Sequence, residues 1–272
     1  MDNQQYFNSN QQFWDSRVES HLKSEMYDME AFMAGKSSLM EIERKAVGDV
    51  TGKTMLHLQC HFGQDTLSWE RKGAIATGID FSPKAIAKAK EIRDQLGLKS
   101  RFITSNVYDL PQVLKGQFDI VFTSYGATPW LPDLEKWAEI VGHFLKPGGL
   151  FYIVEFHPTL YIFNFDNHQV EYSYFNENKP YIEEVTGSYA DPDNPQKGTE
   201  CFWNHSIAEK VNALLNQNLE LLELNEYDYS PYKCFPNMQE REPGRYTWGM
   251  DKFGVRLPLT LSLKMKKKSG GI

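Results

Sequence analysis

The sequence lacks the features that mark disulfide-rich, zinc-binding and membrane-spanning proteins. Its 272 residues include three widely separated cysteines, Cys60, Cys201 and Cys234, and no CxxC pair. Neither a disulfide framework nor a cysteine-rich zinc site is therefore predicted. No segment approaches the ~20 consecutive apolar residues of a membrane span. Residues 1–5 are polar, unlike a signal peptide, so we expect a cytoplasmic protein in a reducing compartment.

Positive charge is also scarce. The chain has 29 Lys and Arg residues against 36 Asp and Glu residues, which gives a formal net charge of −7. Because an acidic chain repels phosphate backbones, we expect no nucleic-acid partner. The basic run at residues 264–268 is predicted to be a solvated strand end, since no second membrane anchor accompanies it. The composition, 41% hydrophobic and 24% charged, is that of a globular protein.

Apolar strand-like runs alternate with helical periods through the middle of the chain, which predicts βαβ units and a parallel sheet. Ser82 and Pro83 predict the start of one helix and Gly97 its end. Asp133 predicts the cap of a later helix, whose apolar stripe is Leu134, Trp137, Val141, Phe144 and Leu145. The predicted strands are residues 54–60, 75–81, 101–104, 118–122 and 150–156, then 219–227 and 257–265.

The two ends of this alternating region differ from it. Residues 158–204 are rich in aromatic, Asn, Pro and Gly residues, and we expect an inserted β-rich cap there. In the N-terminal segment, residues 38–41 predict a capping box and Gly48 the end of that helix. The predicted organisation is a helical lid segment at 1–50, a Rossmann-like core at 51–157, the cap at 158–204 and the rest of the core at 205–272.

The ends of the first two predicted strands indicate a ligand site, because ligands of open α/β sheets bind beyond the carboxyl ends of the strands. The first strand leads into a loop at 59–65, and the second ends at Asp80. A carboxylate there can accept hydrogen bonds from both hydroxyls of a ribose. The alternative is a carboxylate that only stabilises the next helix through its dipole.

The same loop argues against a bound dinucleotide. Only Gly63 is available to approach a pyrophosphate, and Asp65 would repel one. The loop instead suits a ligand with an adenosine and a zwitterionic tail but no phosphate, and S-adenosylmethionine has this chemistry.

Five segments together establish a family resemblance, although each alone is weak. They are LHLQCHFG at 56–63, GIDFSP at 78–83, NVYDLP at 106–111, FDIV at 118–121 and LKPGG at 145–149. With them the chain resembles the class I S-adenosylmethionine-dependent methyltransferases, within an uncharacterised bacterial-type subgroup that has a QCHFG-type first loop. The resemblance implies an α/β fold with a Rossmann-like seven-stranded, mostly parallel sheet, a reversed C-terminal β-hairpin and helices on both faces. The β-rich cap is an insertion into that fold.

The resemblance also implies that S-adenosyl-L-methionine is the cofactor. His57, Gln59 and His61 stand where the family usually has an acidic residue and two glycines, and they narrow the approach of the methionine moiety. Asn106 stands where an Asp often binds the adenine amino group, and its amide oxygen can do the same. The residues expected to bind the cofactor are Gln59, Cys60, His61, Gly63, Asp65, Thr66, Asp80, Phe81, Ser82, Asn106, Val107, Tyr108, Ser124 and Tyr125.

No metal is expected in this site. His57 and His61 are the candidate ligands, but no carboxylate-rich spacing accompanies them. A packed or cofactor-adjacent role suits both histidines better.

The expected reaction is in-line transfer of the sulfonium methyl to a small-molecule acceptor of apolar or aromatic character. The methyl group is already activated, so positioning and desolvation should supply most of the catalysis. Tyr125 and His157 are the candidate catalytic residues, His157 as a general base; loop packing and a hydrogen-bonded loop histidine are the alternatives. The aromatics expected to close the acceptor pocket, or else only to form the core of the insertion, are Tyr161, Phe163, Phe165, Tyr172, Tyr174 and Phe175.

Other functions stay open at this point. The unusual His61 favours a nucleoside-binding protein without catalysis, and an NAD(P)-dependent dehydrogenase is a further alternative. Trp14, His21 and Tyr27 either cover the cofactor or pack on the sheet. We expect a monomer or homodimer that has no membrane partner.

Overall fold

The computed structural model describes residues 3–164, 167–233, 237–248 and 256–269. Its strands are β1 (Thr54–Leu58), β2 (Ile75–Asp80), β3 (Arg101–Thr104), β4 (Phe118–Ser124), β5 (Leu145–Phe156), β6 (Tyr181–Thr186), β7 (Lys197–Phe202), β8 (Leu219–Tyr227), β9 (Gln239–Glu242), β10 (Arg245–Thr247) and β11 (Thr260–Lys267). Its α-helices are α1 (Gln4–Lys23), α2 (Met29–Met33), α3 (Glu41–Val47), α4 (Gln64–Arg71), α5 (Pro83–Gln95), α6 (Leu110–Val113), α7 (Leu134–Phe144) and α8 (Ile207–Leu215). Short 3₁₀ helices span Val107–Asp109, Thr128–Trp130 and Pro158–Ile162.

Seven of these strands form one sheet, in the order β3-β2-β1-β4-β5-β11-β8. The first five run parallel, whereas β11 is antiparallel to both β5 and β8. The predicted fold class, a mostly parallel Rossmann-like sheet with a reversed C-terminal hairpin, is therefore confirmed. The order reverses between β1 and β4, and this is the switch point at which such sheets bind ligands.

Helix α7 shows how the sequence pattern builds the core. The Asp133 carboxylate accepts a hydrogen bond from the Lys136 N–H at 3.0 Å and caps the helix. The predicted stripe is buried throughout, with at most 2% of any of its side chains exposed: Leu134, Trp137, Val141, Phe144 and Leu145. Burying each such side chain stabilises the fold by roughly 1.5–3 kcal/mol.

The helix after β2 begins as predicted, but the helix before β1 does not. Ser82 Oγ accepts the Ala85 N–H at 3.0 Å, and Pro83 is the first residue of α5. The capping box predicted at 38–41 is wrong: α3 begins at Glu41, and the Glu43 carboxylate accepts the Met40 N–H. The Ser38 hydroxyl instead donates a hydrogen bond to Asp65 at 2.6 Å, because Asp65 on α4 places a buried carboxylate within its reach. The predicted end at Gly48 is confirmed.

The insertion contributes an antiparallel pair, β6 and β7, that packs against α1. Asn10 on α1 fixes this contact, since its side-chain amide donates to the Cys201 carbonyl at 2.7 Å and accepts the Cys201 N–H at 2.8 Å. Phe165 and Cys234 lie outside the described residues. Within the described ranges no helix combines the length and the apolar character needed to cross a membrane.

Candidate functional site

The carboxyl ends of the parallel strands bring together residues that are far apart in sequence. Gln59 follows β1, Asp80 ends β2, Asn106 follows β3 and Ser124 ends β4. These neighbouring strand ends lie on one edge of the sheet. The structure therefore gathers the predicted cofactor-binding positions into one region; their contact with a ligand stays a prediction.

Asp80 is a buried carboxylate of this region and is held by donors on both of its oxygens. It is 6% exposed, its Oδ2 accepts the His61 N–H at 2.8 Å and its Oδ1 accepts the Ser82 N–H at 2.9 Å. Burial raises the pKa of Asp80 to about 6, although the hydrogen bonds from Ser82 and His61 oppose that rise. Each oxygen keeps lone pairs for a further donor. The carboxylate thus joins the first loop to the start of α5 and can still bind a diol.

The first loop has a strained backbone. Gln59 has φ 57° and His61 has φ 50°, the left-handed conformation that glycine adopts easily. Each non-glycine residue in this conformation costs roughly 1–2 kcal/mol, and such strain is concentrated at ligand sites. The chain keeps the glycine-type backbone that the family resemblance implies, although side chains occupy two of the glycine positions.

Gln59 also carries a buried polar atom that has no partner. Its Nε2 donates to the Ala127 carbonyl at 2.8 Å. Its Oε1 is buried and accepts no hydrogen bond from any described residue. A buried acceptor without a donor is unfavourable by about 1–3 kcal/mol. A ligand donor such as an ammonium group would satisfy it.

Three predicted residues face the interior beneath the loop. The His57 ring contacts Thr66 Oγ1 at 2.8 Å and Ser124 Oγ at 3.3 Å, and burial lowers the pKa of His57 to about 3. Cys60 is 5% exposed, and burial raises the pKa of its thiol well above the usual value. Cys60 and Thr66 would both touch a Cβ placed on Gly78, at 2.8 and 2.9 Å. Their side chains therefore pack the loop onto β2.

Two buried carboxyl groups lie close to the end of β4. Asp65 accepts hydrogen bonds from Ser38 at 2.6 Å and from Ser124 at 2.9 Å. Glu43 on α3 accepts the Tyr125 hydroxyl at 3.0 Å. Burial, and next the charge of Asp65, raise the pKa of Glu43 to about 7, and burial also raises the pKa of Asp65. At neutral pH the Glu43 carboxyl can therefore take up or release a proton beside Tyr125.

Replacing Glu43 with Gln should flatten the pH dependence of stability. The folded chain holds this proton up to about pH 7, whereas the unfolded chain releases it near 4.5. The free energy of unfolding therefore falls as pH rises from about 4.5 to 7, by roughly 3 kcal/mol. Urea denaturation at pH 5 and pH 8 should show a smaller difference for Glu43→Gln than for the parent. Equal differences would show that Glu43 ionises at its ordinary pKa.

The end of β3 is occupied by a short turn. Asn106 Oδ1 accepts the Tyr108 N–H at 3.1 Å and caps the 3₁₀ helix. Val107 and Tyr108 are 4% and 8% exposed. The Tyr108 hydroxyl donates to the Asp133 carbonyl at 2.9 Å, and burial raises its pKa. The turn is thus anchored on the start of α7, with the Asn106 side chain at its edge.

Helix α1 covers the strand ends. Gln11 donates to the Phe81 carbonyl at 2.6 Å, and Asp15 accepts the Ser82 hydroxyl at 2.5 Å. Ring centroids of Trp14 and His61 are 5.4 Å apart, and His21 Nδ1 lies 3.1 Å from His61 Nε2. These aromatic residues of the N-terminal segment therefore pack on the first loop.

The two residues at the end of β5 have structural partners. The Glu155 carboxylate accepts N–H groups of Gly126, Ala127, Thr128 and Phe156 and the Thr128 hydroxyl, and so fixes the loop after β4. His157 Nδ1 accepts the Thr159 N–H at 3.1 Å, which places the proton on Nε2, 2.7 Å from Glu226. Both ring nitrogens of His157 are thus engaged; its role as a general base stays a prediction.

The aromatic residues of the insertion contact one another. Tyr172 packs on Tyr181 and Phe202, with centroids 4.9 and 5.5 Å apart. Tyr174 packs on Phe175, which is 69% exposed. The contacts of Tyr172, Tyr181 and Phe202 form a small aromatic cluster in the insertion, from which the exposed Phe175 is excluded. The acceptor pocket predicted there stays a prediction. No group of three His, Cys, Asp or Glu side chains able to hold a metal occurs within the described ranges.

Sequence reasoning missed Arg17 and Glu43, which the structure buries with 1% and 0% of their surface exposed. Each is a charged residue on the apolar face of an N-terminal helix, Arg17 next to Val18 and Glu43 next to Ile42. A charged residue in an apolar stripe is the signal that identifies such groups.

Comparison with known proteins agrees with this geometry. Residues 55–149 match the family model described as a methyltransferase domain. An uncharacterised methyltransferase of Synechocystis sp. is 35% identical over 114 residues, 41% of this chain and 51% of that protein. The chain thus spans about half the length of the curated relatives it matches.

Solved structures share the fold at low sequence identity. A putative S-adenosylmethionine-dependent methyltransferase from Listeria monocytogenes aligns with a TM-score of 0.55 and 16% identity, covering 83% of this chain and 94% of that one. The [4+2]-cyclase SpnF aligns with a TM-score of 0.56 and 16% identity, over 85% and 80% of the two chains. These structural similarities show a shared fold and not a shared reaction, since SpnF has this fold and is named as a cyclase. Residues 55–149 therefore resemble a methyltransferase domain in sequence, and the chain as a whole shares the fold of these structures.

Proposed function

We propose that the chain binds S-adenosylmethionine at the carboxyl ends of β1–β4 and transfers its methyl group to a small-molecule acceptor. The observation that supports this most directly is Asp80, a buried carboxylate that joins the first loop to α5 and keeps free lone pairs. The unpartnered Oε1 of Gln59 provides a second polar group of the required kind. The residues present therefore fit a nucleoside with an ammonium-bearing tail.

Each side chain has a distinct part in holding the cofactor. Asp80 would accept hydrogen bonds from the ribose hydroxyls, and Asn106 would face the adenine amino group. Gln59 Oε1 would accept a hydrogen bond from the α-ammonium. Cys60 and Thr66 act indirectly, since their buried side chains hold the loop on β2.

The bound cofactor supplies an electrophilic methyl group that needs no further activation. The protein then contributes orientation and exclusion of water. Helix α1 supplies that exclusion, because Trp14 and His21 pack on His61 over the loop.

An acceptor that loses a proton needs a group to receive it. We propose that Tyr125 serves here as a relay. Its hydroxyl donates to Glu43, whose pKa burial raises to about 7. The Tyr125 oxygen takes the acceptor's proton as the hydroxyl gives its own proton to the ionised Glu43 carboxylate, which leaves Tyr125 neutral. His157 would first have to release the Thr159 N–H or Glu226. The dehydrogenase alternative gains no support, since Asp65 lies in the first turn of α4.

S-adenosylhomocysteine should bind the purified protein in calorimetry, with one site per chain and an affinity unchanged by EDTA. No divalent metal is needed because the polar groups named above suffice for the ligand. Adenosine diphosphate is the matched control, and its pyrophosphate should be rejected by the side chains in the first loop. Absence of S-adenosylhomocysteine binding, or its loss on chelation, would contradict the proposal.

A further inference from the structure

Arg17, in the middle of α1, is a buried cation without adequate partners. Its side chain is 1% exposed, and Nη1 is 3.2 Å from Ser16 Oγ. Its Nε and Nη2 are buried and donate to none of the described residues. Buried donors of a charged group are costly to leave unpaired, so the guanidinium has unused binding capacity.

The two unused donors are the pair that binds a carboxylate. In a guanidinium, the Nε–H and one Nη2–H point in the same direction and match the two oxygens of a carboxylate. The guanidinium also lies over the Phe13 ring, with Arg17 Cζ 4.4 Å from the ring centroid. Arg17 therefore presents a complete bidentate edge on an aromatic support.

Strand β7 lies beside Arg17 and has a glycine, Gly198, where it approaches the guanidinium. A Cβ placed on Gly198 of β7 would lie 2.9 Å from Phe13 and 3.7 Å from Arg17 Nη2. Any other residue there would crowd the Phe13 ring, whereas its Cβ would be in ordinary contact with Arg17 Nη2. Glycine at this position keeps α1 and β7 close and leaves the guanidinium edge uncovered by a side chain.

Glu200 is the acidic residue whose charge acts on Arg17, but its carboxylate accepts no hydrogen bond from the unpaired Nε and Nη2 of Arg17. Burial, and next the Glu183 charge, raise the pKa of Glu200 to about 7, while Arg17 lowers it. Near neutral pH a large fraction of the chains therefore carries an uncharged Glu200. The positive charge of Arg17 is not balanced by a fixed negative one.

The neighbours of Arg17 along α1 indicate that it lies on the side of the site where the methyl acceptor would bind. One turn before it, Phe13 and Trp14 contact Trp130 with centroids 6.2 and 5.2 Å apart. One turn after it, His21 contacts His61 in the first loop. Arg17 itself lies against Gly198 of β7 in the insertion.

We propose that Arg17 binds the carboxylate of the methyl acceptor, so that the acceptor is an organic acid with an aromatic body. This inference rests on the proposed methyltransferase function and deepens it. The aromatic body would lie against Phe13, Trp14 and Trp130. Because Arg17 is closed off from solvent, the part of α1 around Arg17 must move away from β7 to admit the acid, while the Asn10–Cys201 hydrogen bonds hold the start of α1 in place.

The test follows the side-chain Nε–H resonance of Arg17 by NMR in the full chain, identified by its loss in Arg17→Lys. Sodium benzoate is the probe, and benzamide is the matched neutral control. Titrations are run with and without saturating S-adenosylhomocysteine. Benzoate should shift the resonance saturably in both, benzamide should not, and benzoate should bind Arg17→Lys at least tenfold more weakly. The Arg71 resonance should stay in place, because Arg71 donates to the Phe32 and Lys36 carbonyls.

The outcomes separate this inference from the proposed function. If S-adenosylhomocysteine binds but benzoate leaves Arg17 unmoved, the acid site is wrong. If S-adenosylhomocysteine alone shifts Arg17 and then blocks benzoate, the guanidinium holds the cofactor's carboxylate, and the inference is also wrong. If benzoate shifts Arg17 but S-adenosylhomocysteine does not bind, the carboxylate site stands and the proposed function falls. If Arg17→Lys folds poorly, the Arg17 resonance is assigned by triple-resonance spectroscopy of the parent chain, and the parent titration then decides these cases.

Discussion

Asp80→Ala should bind S-adenosylhomocysteine at least tenfold more weakly than the parent chain. The change removes two charge-assisted acceptors for the ribose, each worth roughly 1.5–3 kcal/mol in a dry site, and 1.4 kcal/mol is a factor of ten. It also frees the His61 N–H, which the carboxylate holds at 2.8 Å, so the first loop loses an anchor. The fold should survive, because Asp80 ends a strand. Calorimetry of both proteins measures the difference.

The pH dependence of binding tests the same residue. With a pKa of about 6 for Asp80, the carboxylate that accepts the ribose hydroxyls is lost as pH falls through 6, and affinity should fall with it. Asp80→Asn should bind more tightly than Asp80→Ala and lose this pH dependence. Asp94→Ala, at an exposed carboxylate near the end of α5, is the matched control and should bind like the parent. Unfolding of Asp80→Ala would make the residue structural, and parent-like binding would refute the ribose contact.

The sheet could be predicted from the sequence because each of its signals is local. Alternating apolar runs and helical periods place β1–β4 within two residues of the expected bounds. Longer-range pairing changes the ends: β5 begins at Leu145 because that residue pairs with Phe118, and β11 begins at Thr260. The edge that gathers the predicted cofactor residues follows from the parallel order itself.

The remaining features depend on contacts between distant segments. Glu43 and Asp65 influence each other only because α3 packs behind β4, and no spacing in the sequence predicts that contact. Arg17 on α1 contacts the position of Gly198 on β7, although the two residues are far apart in the sequence. His157 looked available in sequence, but its two ring partners come from Thr159 and from the distant Glu226. Sequence patterns therefore predict the scaffold, whereas the proton-holding and charge-binding groups need the tertiary structure.

Gly63→Ala should destabilise the fold more than an ordinary glycine replacement in a left-handed turn. Gly63 has φ 82°, and a Cβ there would lie 2.6 Å from Phe102 Cε1. The backbone conformation costs roughly 1–2 kcal/mol for a non-glycine residue. Overpacking against a buried ring adds about 1–3 kcal/mol. The expected loss is about 2–5 kcal/mol, which lowers the melting temperature by roughly 4–20 °C in a chain of this size.

Gly97→Ala is the control that separates the two causes of this loss. Gly97 has φ 65° but nothing within 4 Å of its added Cβ, so only the conformational cost of roughly 1–2 kcal/mol applies. Calorimetric melting should therefore give a smaller loss for Gly97→Ala than for Gly63→Ala. Since Gly63 is the residue just before α4 and Phe102 lies against Gly78 of β2, moving the Phe102 ring disturbs the loop that Asp80 anchors. Gly63→Ala should then weaken S-adenosylhomocysteine binding, whereas Gly97→Ala should not. Equal melting temperatures and equal affinities for the two variants would show that the first loop accommodates a Cβ at position 63.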